Sequence, residues 1–150
     1  PLSLLALEPT HEFAVIELAA SHVGEIAALA KIAQPEAAII TSIAPAHLGD
    51  FGSIEQIAKA KGELVEAVPA GGFAVLNGDD DRVRGLARRA ACRVITVGEK
   101  SGNDVCGRNV SVHNDRIALD VGGSPFTVRA IGRHHVTALL ACVAVAREVG

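Results

Sequence analysis

Short apolar runs alternate with helix-like segments along the first two thirds of the chain. Runs of five or six residues predict buried strands, at residues 13–18, 36–41, 72–76 and 93–97. Between them, apolar residues recur at helical spacing and predict helices, at residues 24–33, 53–68 and 80–91. Strands that alternate with helices in this way predict an α/β fold, with a mostly parallel sheet flanked by helices.

The pattern changes after Gly98. Three short segments of strand character follow, at residues 105–112, 116–121 and 126–131. Turn residues separate them, and this spacing predicts a small antiparallel β appendage. A last helix is predicted at residues 133–149. With 150 residues and no internal repeat, the chain is expected to be a single domain.

The helix predicted at residues 53–68 carries a lysine within its apolar stripe. Ser53 is a suitable N-cap for this helix. The stripe consists of Ile54, Ile57, Ala58, Leu64, Val65 and Val68. Lys61 falls near its middle, whereas Lys59 projects elsewhere. A lysine on the core side of a helix must extend its ammonium group to water, pair, lose its charge or be modified.

Polar side chains follow the predicted strands where each strand ends. Glu17 lies near the end of the first, Ser42 and His47 follow the second, and Asn77 ends the third, before Asp79–Asp81. Ligands of open parallel sheets bind at the carboxyl ends of the strands. Carboxylates and other oxygen donors there are typical of a Mg²⁺ site shared with nucleotide phosphates. Lys61 is expected to reach the same edge.

Each of these residues also has a structural interpretation. Glu17 can be the polar end of a strand that faces solvent, although a carboxylate inside an apolar run favours a function. His47 alone is typical of a loop or core histidine. The stretch from Asn77 to Asp81 is more typical of a turn and a helix cap than of a set of ligands. The basic residues between positions 82 and 93 indicate a solvated helix face.

Composition narrows the functional classes. The formal net charge of −3 gives no reason to expect nucleic acid or an anionic membrane as a partner. No apolar run is long enough for a membrane span. Three widely spaced cysteines are typical of reduced thiols in a cytoplasmic protein. No G-x-x-x-x-G-K-[ST] motif occurs, so a phosphate-binding P-loop is not expected within these residues.

Several segments resemble, in order, motifs of the Mur ligase family, in the form found in its D-alanyl-D-alanine-adding members. Residues 17–26 (ELAASHVGEI) resemble the stretch E-L-G-A-N-x-x-G-E-I, and residues 46–53 (AHLGDFGS) resemble A-H-L-x-x-F-G-S. Further matches are AKAKGE at 58–63, VLNGDD at 75–80 and GRH at 132–134. The resemblance covers essentially the whole chain, and its combination of motifs is specific.

The resemblance implies that residues 1–150 are most of the central, ATP-binding domain of a three-domain ligase with a P-loop-NTPase-like fold. The P-loop segment and the N-terminal and C-terminal domains are then expected outside this sequence. Such ligases use ATP and Mg²⁺ to join D-alanyl-D-alanine to UDP-MurNAc-tripeptide through an acyl phosphate, in the bacterial cytoplasm. By position, Glu17 and His47 match the family's Mg²⁺ ligands, and Lys61 matches its carbamylated lysine. Ser42, Asn77 and His135 fall where the family contacts the nucleotide or metal.

The chain departs from the family at four asparagines. They are replaced by Ser21, Ser42, His135 and Ala138. These losses keep a non-catalytic binding module as one alternative. Another is a related amide ligase, of the type that adds the third peptide residue or of the folylpolyglutamate type. The segments 24–26 and 51–53 argue against both of these related ligases. The chain alone is not expected to catalyse ligation.

Overall fold

Six strands form one sheet in the computed structural model, which describes residues 2–45 and 48–150. The strands lie side by side in chain order: β1 (Ala37–Ile40), β2 (Phe73–Asn77), β3 (Arg93–Gly98), β4 (Val105–Val112), β5 (Ile117–Val121) and β6 (Ser124–Val128). The pairings from β1 to β4 are parallel, and those from β4 to β6 are antiparallel. The α/β prediction, with its antiparallel appendage, is confirmed.

Helices cover both faces of this sheet. They are α1 (Glu25–Ala33), α2 (Leu48–Phe51), α3 (Ile54–Ala67), α4 (Asp81–Gly85) and α5 (His135–Val149), with short 3₁₀ helices at Leu2–Ala6 and Leu86–Arg89. On one face α3 packs against β1, α1 packs against α3, and α4 packs against β2. On the other face α5 packs against β2, β3 and β4. The described elements therefore form three layers, with α5 alone on its side.

The strand β2, next to the edge strand β1, contributes to both cores. Ala74 and Leu76 belong to the core on the α3 side, and Val75 belongs to the core on the α5 side. All three are fully buried. A strand covered on both faces carries apolar residues at consecutive positions, which explains why this run shows no alternation. In contrast, β5 buries every second residue, in the core on the α5 side.

The helix that carries Lys61 begins and ends close to the predicted positions. The Ser53 hydroxyl accepts a hydrogen bond from the Gln56 backbone N–H at 3.3 Å, so Ser53 is the N-cap as predicted. The helix continues to Ala67, after which Val68 is extended. Its direction places Lys61 two turns from its start, beside the loop that follows β1.

The strand predicted at residues 13–18 is absent from the structure. This segment forms neither a helix nor a strand. It pairs with no described strand, since β1 pairs only with β2 and is therefore an edge strand of the described sheet. Phe13 and Val15 are 65% and 92% exposed. An apolar run forms a buried strand only where a neighbouring strand satisfies its backbone hydrogen bonds. The run here has no such neighbour among the described residues.

Two other predicted boundaries are shifted. The strand expected at 126–131 is β6, which begins at Ser124, because Gly122 and Gly123 both adopt positive φ and return the chain at once. The helix expected at 80–91 is α4 followed by a 3₁₀ turn. Among the described residues, no helix combines the length and apolar character needed to cross a membrane.

We predict that Gly72→Ala destabilises the protein. A Cβ at Gly72 would collide with the backbone carbonyl oxygen of Glu36, which cannot move without disturbing the start of β1. Overpacking of this kind costs about 1–3 kcal/mol. The free energy of unfolding in urea measures the effect. Gly71→Ala is the matched control, because the space around Gly71 is open. An equal effect of both substitutions would contradict the prediction.

Candidate functional site

The carboxyl ends of β1, β2 and β3 meet the N-terminus of α5 at one edge of the sheet. The three strands are parallel and adjacent, so their ends lie together. Arg133, just before α5, pairs with Glu99, just after β3. At the opposite end of the same two elements, Arg93 pairs with Glu148 at 2.8 Å. The helix therefore runs antiparallel to β3, and its first residues lie at the strand ends.

Asp80 joins two of the loops at this edge. One of its carboxylate oxygens accepts hydrogen bonds from the backbone N–H groups of Arg82, at 2.9 Å, and Val83, at 3.3 Å, and so caps α4. Its other oxygen accepts the backbone N–H of Ile43 at 3.0 Å. The loop after β1 and the start of α4 are thus held by the same carboxylate. The interpretation of this residue as a helix cap is confirmed.

Asp79 organises the loop that follows β3. Its carboxylate accepts hydrogen bonds from the backbone N–H of Glu99 at 2.6 Å and from the Asn103 side-chain amide at 2.9 Å. Gly78 permits this arrangement, because a Cβ there would collide with the Asn103 side chain. The two acids after β2, Asp79 and Asp80, therefore bind backbone groups of neighbouring loops. This agrees with the interpretation of residues 77–81 as a turn and a helix cap.

Asn77 and Ser42 also form part of this framework. The Asn77 side-chain amide donates to the Thr41 carbonyl oxygen at 2.8 Å, and its side-chain oxygen accepts the Asp79 N–H at 2.9 Å. The Ser42 carbonyl oxygen accepts a hydrogen bond from Lys61 Nζ at 2.7 Å. These contacts connect the ends of β1 and β2 to each other and to α3.

Lys61 reaches this edge, as its position in the stripe predicts. Its side chain is half-buried. Desolvation by the surrounding protein lowers the pKa of Lys61, and the negative charge of Asp80 opposes that shift in part. The ammonium group is therefore held against a carbonyl oxygen in a partly dry position, where its neutral form is favoured more than in water.

Two other predicted site residues, Glu17 and His135, form no hydrogen bond or ion pair with Lys61. Glu17 is exposed in the segment before α1. His47 lies outside the described residues. His135 is the first residue of α5, is exposed, and has its ring 4.1 Å from that of His134, between centroids. Within residues 2–45 and 48–150, no group of three or more His, Cys, Asp or Glu residues is arranged to hold a metal ion.

Glu63 is a buried residue that the sequence analysis did not single out. Its side chain belongs to α3, and the residue is 9% exposed. One carboxylate oxygen accepts the backbone N–H of Gly24 at 2.6 Å, and the other accepts that of Ala27 at 3.0 Å. Gly24 is the N-cap of α1 and has no side chain that could cap the helix. Glu63 therefore caps α1 from a neighbouring helix.

Arg89 does not lie on a solvated helix face, contrary to the prediction. Its guanidinium group donates to the carbonyl oxygen of Lys59 at 2.9 Å and to the Glu66 carboxylate at 2.7 Å. It lies over Gly62, where a Cβ would collide with it. The glycine in the middle of α3 is the sequence signal for this contact, because glycine weakens a helix unless another group needs the space.

A comparison with protein families matches residues 1–146 to the family described as Mur ligase middle domain. Among curated proteins, the UDP-N-acetylmuramoyl-tripeptide--D-alanyl-D-alanine ligase of Mycobacterium tuberculosis is 39% identical over 155 aligned residues. That alignment covers 100% of this chain and 30% of the relative. The chain therefore spans about a third of the length of the curated relatives that it matches.

Solved structures show the same relationship. A crystal structure of MurF from Acinetobacter baumannii matches with a TM-score of 0.89 at 32% identity, over 99% of this chain and 34% of that one. The MurF ligase of Thermotoga maritima, solved in complex with ADP, matches with a TM-score of 0.73 at 27% identity. It covers 87% of this chain and 31% of that chain.

We predict that Asp80→Asn lowers the pKa of Lys61 further. The substitution removes the negative charge that favours the ammonium form, while asparagine remains a good cap for α4. An NMR titration of the labelled Lys61 side chain measures the shift. Asp81→Asn is the matched control, because Asp81 is exposed and pairs with Arg84. An unchanged or raised pKa in Asp80→Asn would show that Asp80 does not act on Lys61.

Proposed function

The chain belongs to the Mur ligase family, as a middle domain, and we propose that it forms the ATP-handling centre of a ligase that joins D-alanyl-D-alanine to UDP-MurNAc-tripeptide. One observation carries this proposal: curated relatives with that activity in their names align with the whole chain, at identities of 32–39%. The ligase itself is a longer protein, because the chain corresponds to about a third of those relatives.

The reaction has two steps. The terminal carboxylate of the tripeptide attacks the γ-phosphorus of ATP, which gives an acyl phosphate and ADP. The amine of D-alanyl-D-alanine then attacks the acyl carbon, and inorganic phosphate leaves as the amide bond forms. The ADP bound to the Thermotoga maritima relative supports nucleotide use by this fold. Precise positioning and charge neutralisation are the main contributions that a protein makes to phosphoryl transfer.

Glu17, His47 and Lys61 are the residues that we assign to Mg²⁺, by their match to the family motifs. Mg²⁺ would supply charge neutralisation on the phosphate oxygens. Lys61 fits this assignment chemically. Its lowered pKa favours the neutral amine, which is the form that reacts with CO₂ to give a carbamate and a proton. The carbamate would lie beside Asp80, and a divalent cation relieves the repulsion between two such anions.

Ser42, Asn77 and His135 are assigned to the nucleotide side of the site. The first two already hold the ends of β1 and β2 through the hydrogen bonds described above. We therefore infer that they act by shaping the edge that faces the phosphates. His135 lies exposed at the start of α5, at the same edge, where the family has asparagine. Its imidazole offers a ring face and a hydrogen-bonding nitrogen to a nucleotide base.

The location and partners follow from this chemistry. The nucleotide-linked sugar substrate, the dipeptide and ATP are small and water-soluble, so the proposed site of action is the bacterial cytoplasm. Neither nucleic acid nor insertion into a membrane is part of the proposal. A related ligase that adds a different residue is less well supported, because the curated relatives described above are named for D-alanyl-D-alanine addition.

We predict that the full-length protein releases phosphate from ATP in the presence of Mg²⁺ and UDP-MurNAc-tripeptide only when D-alanyl-D-alanine is added. A coupled phosphate assay with and without the dipeptide measures this. Release with a single amino acid as acceptor, and UDP-MurNAc-dipeptide as donor, would support the third-residue-adding alternative. A folded protein that releases no phosphate with either pair would support a non-catalytic binding module.

We predict that Lys61→Ala lowers turnover of the full-length ligase on the order of a hundredfold, because a charged group that stabilises phosphoryl transfer is lost. Short-chain carboxylic acids such as acetate should restore part of the activity by replacing the carbamate carboxylate. Lys59→Ala is the matched control, since Lys59 is exposed on the same helix. Full activity of Lys61→Ala without added acid would rule out the carbamate role.

A further inference from the structure

Glu63 makes, from a neighbouring helix, the two hydrogen bonds that a local capping box would make at the start of α1. In a capping box, the N-cap side chain binds the N–H of the third helical residue, and the side chain of that residue binds the N-cap N–H. Gly24 is the N-cap of α1 and cannot take part with a side chain. Both N–H groups, of Gly24 and Ala27, are instead bound by the Glu63 carboxylate, from 39 and 36 residues away.

A second glutamate ties the preceding segment to the same helix. The Glu25 carboxylate, in the first turn of α1, accepts the backbone N–H of Ser21 at 2.7 Å and that of His22 at 3.1 Å. Glu17 lies four residues before Ser21. Residues 21 and 22, which follow Glu17 closely in the chain, are therefore bound to the start of α1, and α1 is bound to α3 through Glu63.

Glu63 and Lys61 lie two residues apart on α3. Lys61 contacts the loop after β1, whereas Glu63 contacts the start of α1. One turn of α3 thus connects two segments that are distant in sequence, and each carries a residue assigned above to the metal. Because Glu63 is 9% exposed and both of its oxygens are bound, its removal leaves two backbone N–H groups without their partner.

We propose that Glu63 is a positioning residue of the ligase, which holds the segment bearing Glu17 at a defined place relative to Lys61 on α3. The inference rests on the proposed function, since it concerns the geometry of the metal site assigned there. Glu63 itself does not touch the substrate or the metal. It acts through the N-terminus of α1, as residues that orient metal ligands commonly do.

Glu63→Gln in the full-length protein tests this proposal, with Glu66→Gln as the matched control. Glutamine has nearly the shape of glutamate but offers one acceptor oxygen in place of two. Glu66 lies on the same helix, is exposed and pairs with Arg89, so its substitution removes a salt bridge that does not contact α1. Amide hydrogen exchange at Gly24 and Ala27 should become about tenfold faster in Glu63→Gln and remain unchanged in Glu66→Gln.

The second measurement is Mn²⁺ binding in the presence of ADP, followed by electron paramagnetic resonance. We expect about tenfold weaker Mn²⁺ binding in Glu63→Gln, because misplaced ligands weaken a metal site by roughly 10- to 100-fold. A merely stabilising role would lower the melting temperature and leave the Mn²⁺ affinity of the folded protein unchanged. That result would overturn the proposal. Glu63→Asp, which keeps the charge, should show a smaller loss, and it replaces Glu63→Gln if that variant does not fold.

The magnesium dependence of phosphate release completes the test. In Glu63→Gln, the Mg²⁺ concentration for half-maximal activity should rise about tenfold, while in Glu66→Gln it should not change. If the unsubstituted protein neither binds Mn²⁺ with ADP nor releases phosphate, the proposed function fails and the inference fails with it. If the unsubstituted protein does both and Glu63→Gln matches it, the inference alone is overturned.

Discussion

The candidate site depends on the hydrogen bonds that the Asp80 carboxylate accepts from two neighbouring segments. This carboxylate accepts three backbone N–H groups, two at the start of α4 and one from Ile43 after β1. Loops and helix starts expose N–H groups that no ladder satisfies, and leaving such groups buried without a partner is costly. A carboxylate that satisfies several of them at once joins segments that the sheet does not connect. The ends of β1 and β2 are held in this way.

The same principle recurs around the edge. Asp79 binds the loop after β3, and Glu63 binds the start of α1. Each acid accepts hydrogen bonds from backbone N–H groups of another segment. The acids of the motifs at 58–63 and 75–80 therefore serve mainly to build the site. Among their neighbours, Lys61 is the described residue that we propose takes part in metal binding.

At Lys61, partial burial of a charged side chain coincides with the chemical role proposed for it. Its place in an apolar stripe removes water from the ammonium group, which lowers its pKa. In a lysine with only a structural role, desolvation of the ammonium group would destabilise the fold and serve no function. At the end of parallel strands, next to the Ser42 carbonyl oxygen, the same desolvation lowers the pKa and favours the neutral amine, although the charge of Asp80 opposes this shift. The proposed carbamate converts this half-buried cation into an anion that suits a metal site.

Short-range features were predictable from the sequence alone. The alternation of apolar runs and helical periods predicted the sheet and its helices, Ser53 predicted the start of α3, and the stripe predicted where Lys61 points, because each depends on residues a few positions apart. The order of motifs likewise predicted the family.

The tertiary structure decided the rest. Residues 13–18 are exposed because no described strand pairs with them, which their own apolar pattern cannot reveal. The partners of Glu63 lie 36 and 39 residues away, and only the packing of α1 against α3 brings them into contact.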